Sequence, residues 1–149
     1  LALVMDIHHH WIRDEEYIEA TDDRVKRVID SWRGQRPTMH YSYSRDEHLA
    51  VANLGDKTHT EMHDIKMLLE RGCKKQKLRA HSDLLPNRAV NDWALSFGEN
   101  FDIQTEAKGK NISSKKIRFS VSRLTTLDPG LHVPGRLWRI ISLGRELHF

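Results

Sequence analysis

The sequence predicts an α/β fold in which parallel strands are joined by helices, and three observations carry that expectation. Residues 1–5, LALVM, form an apolar run without polar alternation, as in a strand buried on both faces. Val25, Val28, Ile29 and Trp32 then fall at i, i+3, i+4 and i+7, one apolar face of a helix. Residues 37–43, PTMHYSY, follow as a second short strand. Strand, helix and strand in that order make a βαβ unit, which implies a parallel pair.

In chain order, the first strand ends abruptly in Asp6 and the run His8, His9 and His10, expected in the turn beyond it. Asp6 and His9 supply a hard oxygen and an imidazole nitrogen, a mixed donor set that suits manganese, zinc or iron. Three histidines placed after an apolar run are not a terminal affinity tag, and the bland alternative is that they cap a strand. Residues 11–21 read as a polar loop with Asp14, Glu15, Glu16 and Glu19. Thr21, Asp22 and Asp23 offer N-caps for the helix through Val25, Gly34 stops it, and Pro37 opens the next element. His40 falls near the end of the second strand. Because ligands in parallel α/β folds bind at the carboxyl ends of the strands, Asp6, His9 and His40 are expected to meet there.

Residues 44–80 are less regular. Gly55-Asp56 marks a turn, and Met62, Ile65, Met67, Leu68 and Leu69 suggest a short helix ended by Gly72. The basic run 71–79 is expected to be a solvated loop rather than a phosphate-contacting patch, and His48, His59 and His63 are expected at the surface. His81-Ser82-Asp83 precedes a further helix, with Pro86 in its first turn and Ala89, Val90, Trp93, Ala94 and Phe97 along one face up to Gly98. Residues 101–106, FDIQTE, alternate as a third strand that ends in the carboxylate of Glu106, with Lys108 and Lys110 just beyond. From Asn111 the chain is basic, with turns at Asp128-Pro129-Gly130 and Pro134-Gly135. Its closing apolar segment, Leu137 to Leu143, is expected as a terminal helix or a loosely ordered extension.

Composition narrows the function classes. At 149 residues, 38% hydrophobic and 30% charged, the chain is long enough for one domain with a core, and no apolar run is long enough to span a membrane. The single cysteine, Cys73, excludes an internal disulfide framework and fits a reducing compartment, so a cytoplasmic location is expected, and separately a monomer. Cys73 stands beside Lys74, Lys75 and Lys77, and the expectation is a bystander rather than a reactive thiol. A net charge of +3 permits a polyanionic partner without demanding one. The chain begins within an apparent strand and without an initiator methionine, which leads us to expect a fragment.

The candidate chemistry gathers at three strand ends: Asp6 and His9, then His40, then Glu106, with His81 on the loop leading to the third. Carboxylates and imidazoles together can hold two or more divalent ions, which activate a water and stabilise both oxygens of an in-line phosphoryl displacement. Basic residues nearby would bind a phosphate backbone with little sequence selectivity. No serine-hydrolase elbow, phosphate-binding P-loop or dinucleotide glycine motif occurs.

Four segments, LVMDIHHHW, PTMHYSYS, HSDLLPNRAVNDW and FDIQTEAKGKN, resemble in this order the C-terminal portion of UV damage endonucleases. That family has a TIM (β/α)8 barrel and depends on manganese, and it is similar in barrel and metal cluster to the endonuclease IV type of apurinic-site nuclease. The resemblance implies that residues 1–111 are the last three βα units of such a barrel and residues 112–149 a basic tail without a family counterpart. It implies that Asp6, His9, His40, His81 and Glu106 match metal ligands, with Mn2+ as the ion and Lys108 as a candidate substrate contact. The implied substrate is double-stranded DNA carrying UV lesions, hydrolysed on the 5′ side of the photoproduct. The sequence departs from the family at Thr38, where a lysine usually stands two positions before the strand histidine, and in the longer segment 45–79. The barrel's first strands are also missing, so weak or no activity is expected of this chain alone. Two rival functions fit the same residues: a metal-dependent sugar isomerase or epimerase on the same barrel, and a non-catalytic basic nucleic-acid-binding fragment.

Overall fold

A computed structural model of the chain describes residues 1–109 and 140–142. Strand β1 (Met5–Asp6) runs directly into helix α1 (Ile7–Asp14), and helix α2 (Asp23–Ser31) leads to strand β2 (Thr38–Tyr41). Short helices α3 (Asp46–Leu49), α4 (Ile65–Glu70) and α5 (Lys75–Leu78) follow, with 3-10 turns at Ala50–Ala52 and Gly55–His59. Helix α6 (Arg88–Leu95) then precedes strand β3 (Asp102–Thr105), and strand β4 (Ile140–Ser142) comes last.

The strands β1, β2 and β3 form a parallel sheet in that order, with β4 parallel to the outer side of β3. The expected α/β class and the parallel pairing are present. Among the described residues the sheet is open, with β1 and β4 as its edges. Register places Asp6 beside His40, and His40 beside Gln104. Since paired residues in a parallel ladder share a face, Asp6, Thr38, His40 and Gln104 line one half-open face. Met5, Met39, Tyr41 and Ile103, the alternate positions, join the core with Ile7, Ile12, Val25 and Leu95.

An aromatic ladder runs through that core. Trp11 stacks on Tyr17 at 5.4 Å between ring centroids, Tyr17 meets Trp93 edge-on at 4.8 Å, and Phe97 and Phe101 continue it. The opposite end of the sheet is closed by Arg36. Its guanidinium donates to Asp102 Oδ1 and to the carbonyls of Gly98, Glu99 and Phe101 at 2.6–2.8 Å, tying the start of β3 to the chain leaving α6.

Several expectations are corrected. The first strand is only two residues long, and Leu1, Leu3 and Val4 are exposed rather than buried. Among the described residues β1 is an edge, and Leu3 is held by Ser31 Oγ and by the Trp32 indole. The histidines sit on α1, not in a turn, and the expected polar loop 11–21 is helix over its first four residues, up to Asp14. Asp6 caps that helix by accepting the His9 N–H, and Ile7, His8, Trp11 and Ile12 are its buried face. Helix α6 begins after Asn87, which caps it, so Pro86 precedes the cap instead of occupying the first turn. The basic run is not all solvated loop, because one turn of helix, α5, is anchored by the fully buried Leu78. His63 is buried, only 3% exposed, with Nε2 on the Thr58 carbonyl. The closing apolar segment contributes a strand at Ile140–Ser142 where a helix or loose extension is expected. The basic residues and turns expected at 111–139 lie outside the described residues. No helix among the described residues is long and apolar enough to cross a membrane.

Candidate metal centre

Each of the five nominated side chains reaches the carboxyl end of the sheet by a different local device. Asp6 ends β1 and caps α1, its Oδ1 accepting the His9 N–H at 2.9 Å. The first turn of α1 then carries His9 back over Asp6, with His9 Nε2 4.0 Å from Asp6 Oδ2. His40 stands beside Asp6 in the ladder. Glu106 follows β3, and its N–H donates to the Tyr41 carbonyl at 2.9 Å, extending the parallel pairing one step past the strand.

His81 arrives by a longer route. The segment through α3, α4 and α5 departs after Ser44, just beyond β2, and comes back beside it at His81. Ser44 and His81 form an antiparallel bridge, closed on either side by Arg45 N–H to Ala80 O at 3.2 Å and Ser82 N–H to Tyr43 O at 2.8 Å. The bridge to Ser44 and the contact with the Glu106 carbonyl thus hold His81 between the chain leaving β2 and the chain leaving β3.

The result is a continuous chain of donors. His9 Nε2 lies 3.2 Å from His81 Nε2, which lies 3.9 Å from Glu106 Oε2, and Glu106 Oε1 lies 3.2 Å from His40 Nδ1. The side chains are between 17% and 40% exposed, so the cluster is open on one side instead of sealed in the core. His81 Nδ1 donates to the Glu106 carbonyl at 3.2 Å, which puts the proton on Nδ1 and leaves the Nε2 lone pair facing the cluster.

The donor set fits divalent ions. Two atoms each about 2.1 Å from a common ion stand roughly 3.0–3.4 Å apart at octahedral or tetrahedral angles. The His9–His81 and His40–Glu106 separations, both 3.2 Å, fall in that interval. Asp6, His40 and Glu106 offer donor atoms all within 4.8 Å of one another, and so do His8, His9 and His81. Mixed carboxylate and imidazole donors suit manganese, iron(II) or zinc.

Other nominated or neighbouring residues sit apart from this chain of donors. Lys108 is two residues past Glu106, its N–H on the Ser82 carbonyl at 3.0 Å and its side chain exposed. Thr38 is on the same face of β2 as His40, in register with Asp102. His10 turns away, its Nδ1 2.7 Å from Asp14 Oδ2. A cleft of about 610 Å³ opens beside β1 and α1, lined by Asp6, His9, Arg13, Arg24 and Arg79 among others. Arg13 and Arg24 are engaged by Asp14 and by Asp22 and Glu16, whereas Arg79 is exposed at its rim.

Sequence reasoning missed His8, Ser42, Ser44 and Gln104. His8 is 2% exposed, and burial, helped by the neighbouring His9 and His81, pushes its imidazole down to about 3, so the ring is neutral. The available signal was the alternation Ser42, Ser44 beyond His40, two hydroxyls on one side of an apolar strand end. Gln104, in register with His40, follows from the parallel pairing once β3 is aligned.

No protein-family model, curated protein or solved structure matches the chain. The functional reading therefore stands on this geometry and on the four motif segments.

Proposed function

We propose that this chain carries the metal-binding end of a manganese-dependent DNA repair endonuclease that hydrolyses the phosphodiester 5′ to UV photoproducts. The observation that carries the reading is the convergence of Asp6, His9, His40, His81 and Glu106, five residues spread from 6 to 106, into one open cluster. In a TIM barrel the catalytic groups stand at the carboxyl ends of the parallel strands, where these five stand, and we read the open sheet as part of such a barrel.

In this reading Asp6, His40 and Glu106 would hold one ion and His9 with His81 a second. Glu106 can serve both, since its two oxygens face different histidines. Bound Mn2+ would supply Lewis acidity and an activated water for displacement at phosphorus. The residues of the chain orient: the backbone carbonyl of Glu106 fixes the His81 tautomer, and the Asp6 cap fixes the start of α1. Exposed Lys108, two residues past Glu106, would contact a phosphate backbone without selecting sequence. The open side of the cluster favours a long polymer over the closed small pocket that a sugar isomerase requires.

The test is incision of a UV-irradiated duplex against an undamaged control, with and without Mn2+. It uses this chain and a chimera in which residues 1–149 replace the corresponding portion of a UV damage endonuclease. The expected result is Mn2+-dependent nicking 5′ to the photoproduct by the chimera, abolished by Glu106→Ala. Metal binding without nicking would turn the reading toward the isomerase class. Salt-sensitive DNA binding indifferent to Mn2+ and to Glu106→Ala would leave only a nucleic-acid-binding fragment.

A further inference from the structure

Of the three histidines His8, His9 and His81, one is closed to any ion, and the direction of its hydrogen bonds shows why. The Ser44 hydroxyl donates to the Leu78 carbonyl at 2.7 Å, so its oxygen can only accept from His8. His8 Nε2, 3.1 Å from that oxygen, must therefore carry the proton. Nδ1 of the neutral ring is then an acceptor, and the Ser42 hydroxyl donates to it at 2.8 Å. A neutral imidazole has one N–H and one lone pair, and both are engaged.

The same bonds reach the candidate ligands. Ser44 is the residue whose backbone bridges His81, and His8 precedes His9 on the first turn of α1. The His8 ring stands nearly perpendicular to both neighbours, with centroids 5.4 Å from His9 and 5.9 Å from His81. On its other side the ring packs against Trp11 at 6.2 Å. One buried side chain thus links α1, the end of β2 and the returning segment that delivers His81.

We propose that His8 is a positioning residue. Held by Ser42 and Ser44, it sets the His9 and His81 rings edge-on with their Nε2 atoms 3.2 Å apart, and is not itself a ligand. The proposal rests on the metal reading of the site and adds a division of labour within it: His9 and His81 bind, and His8 locks them. Outer partners of this kind matter because metal–donor distances tolerate only about 0.2 Å, and their removal typically weakens binding roughly 10–100-fold.

The experiment is nitrogen NMR of the 15N-histidine-labelled chain, without metal and with Zn2+ as a diamagnetic probe, together with Zn2+ titration of Ser42→Ala and Ser44→Ala. Metal-free His8 is expected as the neutral Nε2–H tautomer. Zn2+ should move the Nε2 resonances of His9 and His81 and leave the His8 nitrogens in their metal-free state. Each serine variant, with an unchanged far-UV spectrum, should bind Zn2+ about 10–100-fold more weakly. A His8 nitrogen that takes on a metallated shift, or a His8 found as the Nδ1–H tautomer, would overturn the proposal, and the wild-type spectra decide this even if both variants fail to fold. Folded serine variants with wild-type affinity would also overturn it while leaving the metal reading intact. A wild-type chain that binds no Zn2+ would sink the metal reading and the proposal with it.

Discussion

The Asp6 carboxylate faces His9 twice: Oδ1 accepts the His9 backbone N–H at 2.9 Å, and Oδ2 lies 4.0 Å from His9 Nε2. A single side chain thus starts the helix and aims its free oxygen at the cluster. The two duties can be separated. Asparagine caps a helix about as well as aspartate but brings no charge to a cation, whereas alanine loses both. Asp6→Asn should therefore keep metal-free stability within a few tenths of a kcal/mol and lose most Mn2+ affinity, while Asp6→Ala should also lose about 1 kcal/mol. Denaturant unfolding and Mn2+ titration of both variants check this, and equal stability loss in the two would show that the cap contributes little.

Arg36 lies at the far end of the sheet and takes no part in the cluster. It binds one carboxylate and three carbonyls, but its side chain is 34% exposed, so water screens part of the gain. Arg36→Met keeps the aliphatic stem and leaves Asp102 and the carbonyls to find water. The expected loss is about 2 kcal/mol, the scale of hydrogen bonds to a charged group. The midpoint of denaturant unfolding should fall with an unchanged slope, and metal affinity measured well below the transition should not move.

How far the sequence exposes this arrangement depends on the element. β2, β3, α2 and α6 lie within a residue or two of their expected bounds, because Gly34, Pro37 and Gly98 punctuate clean periodicities. Helix α1 is hidden for a physical reason. Its buried positions Ile7, Trp11 and Ile12 are separated by a run of three histidines, and its cap, Asp6, reads equally well as a strand-end acid. The five candidate ligands are legible as residue types at element ends. The different fates of His8, His9 and His10 are not, since only the turn of about 100° per residue sends one inward, one over Asp6 and one toward Asp14. The delivery of His81 depends on the Ser44 bridge, a contact across the whole excursion that no local pattern announces.

All three tyrosines of the chain are buried or nearly so, and burial raises the phenols of Tyr17, Tyr41 and Tyr43 above their ordinary value. In the unfolded chain they release protons near pH 10. Below that value both states are protonated and the stabilising contribution is complete. Above it the unfolded state releases protons first, so stability is lost as pH rises toward the folded values. The expected outcome is that phenolate absorbance stays low past pH 10 and then rises together with loss of the far-UV signal. A smooth rise near pH 10 with the fold intact would show that the aromatic ladder admits water.

Lys108 offers a test of the substrate side that is independent of chemistry. Its backbone is pinned by the Ser82 carbonyl and its side chain is exposed just past Glu106, so truncation should not disturb the fold. A lysine that contacts one phosphate releases about one counterion, and its loss reduces the slope of log affinity against log salt by roughly 0.9. Lys108→Ala should therefore weaken duplex binding severalfold at low salt and lower the slope by that amount. The loss should be the same on irradiated and undamaged DNA, because a backbone contact carries no information about the bases. A loss confined to irradiated DNA would instead place Lys108 at the lesion, and an unchanged slope would remove it from the DNA path altogether.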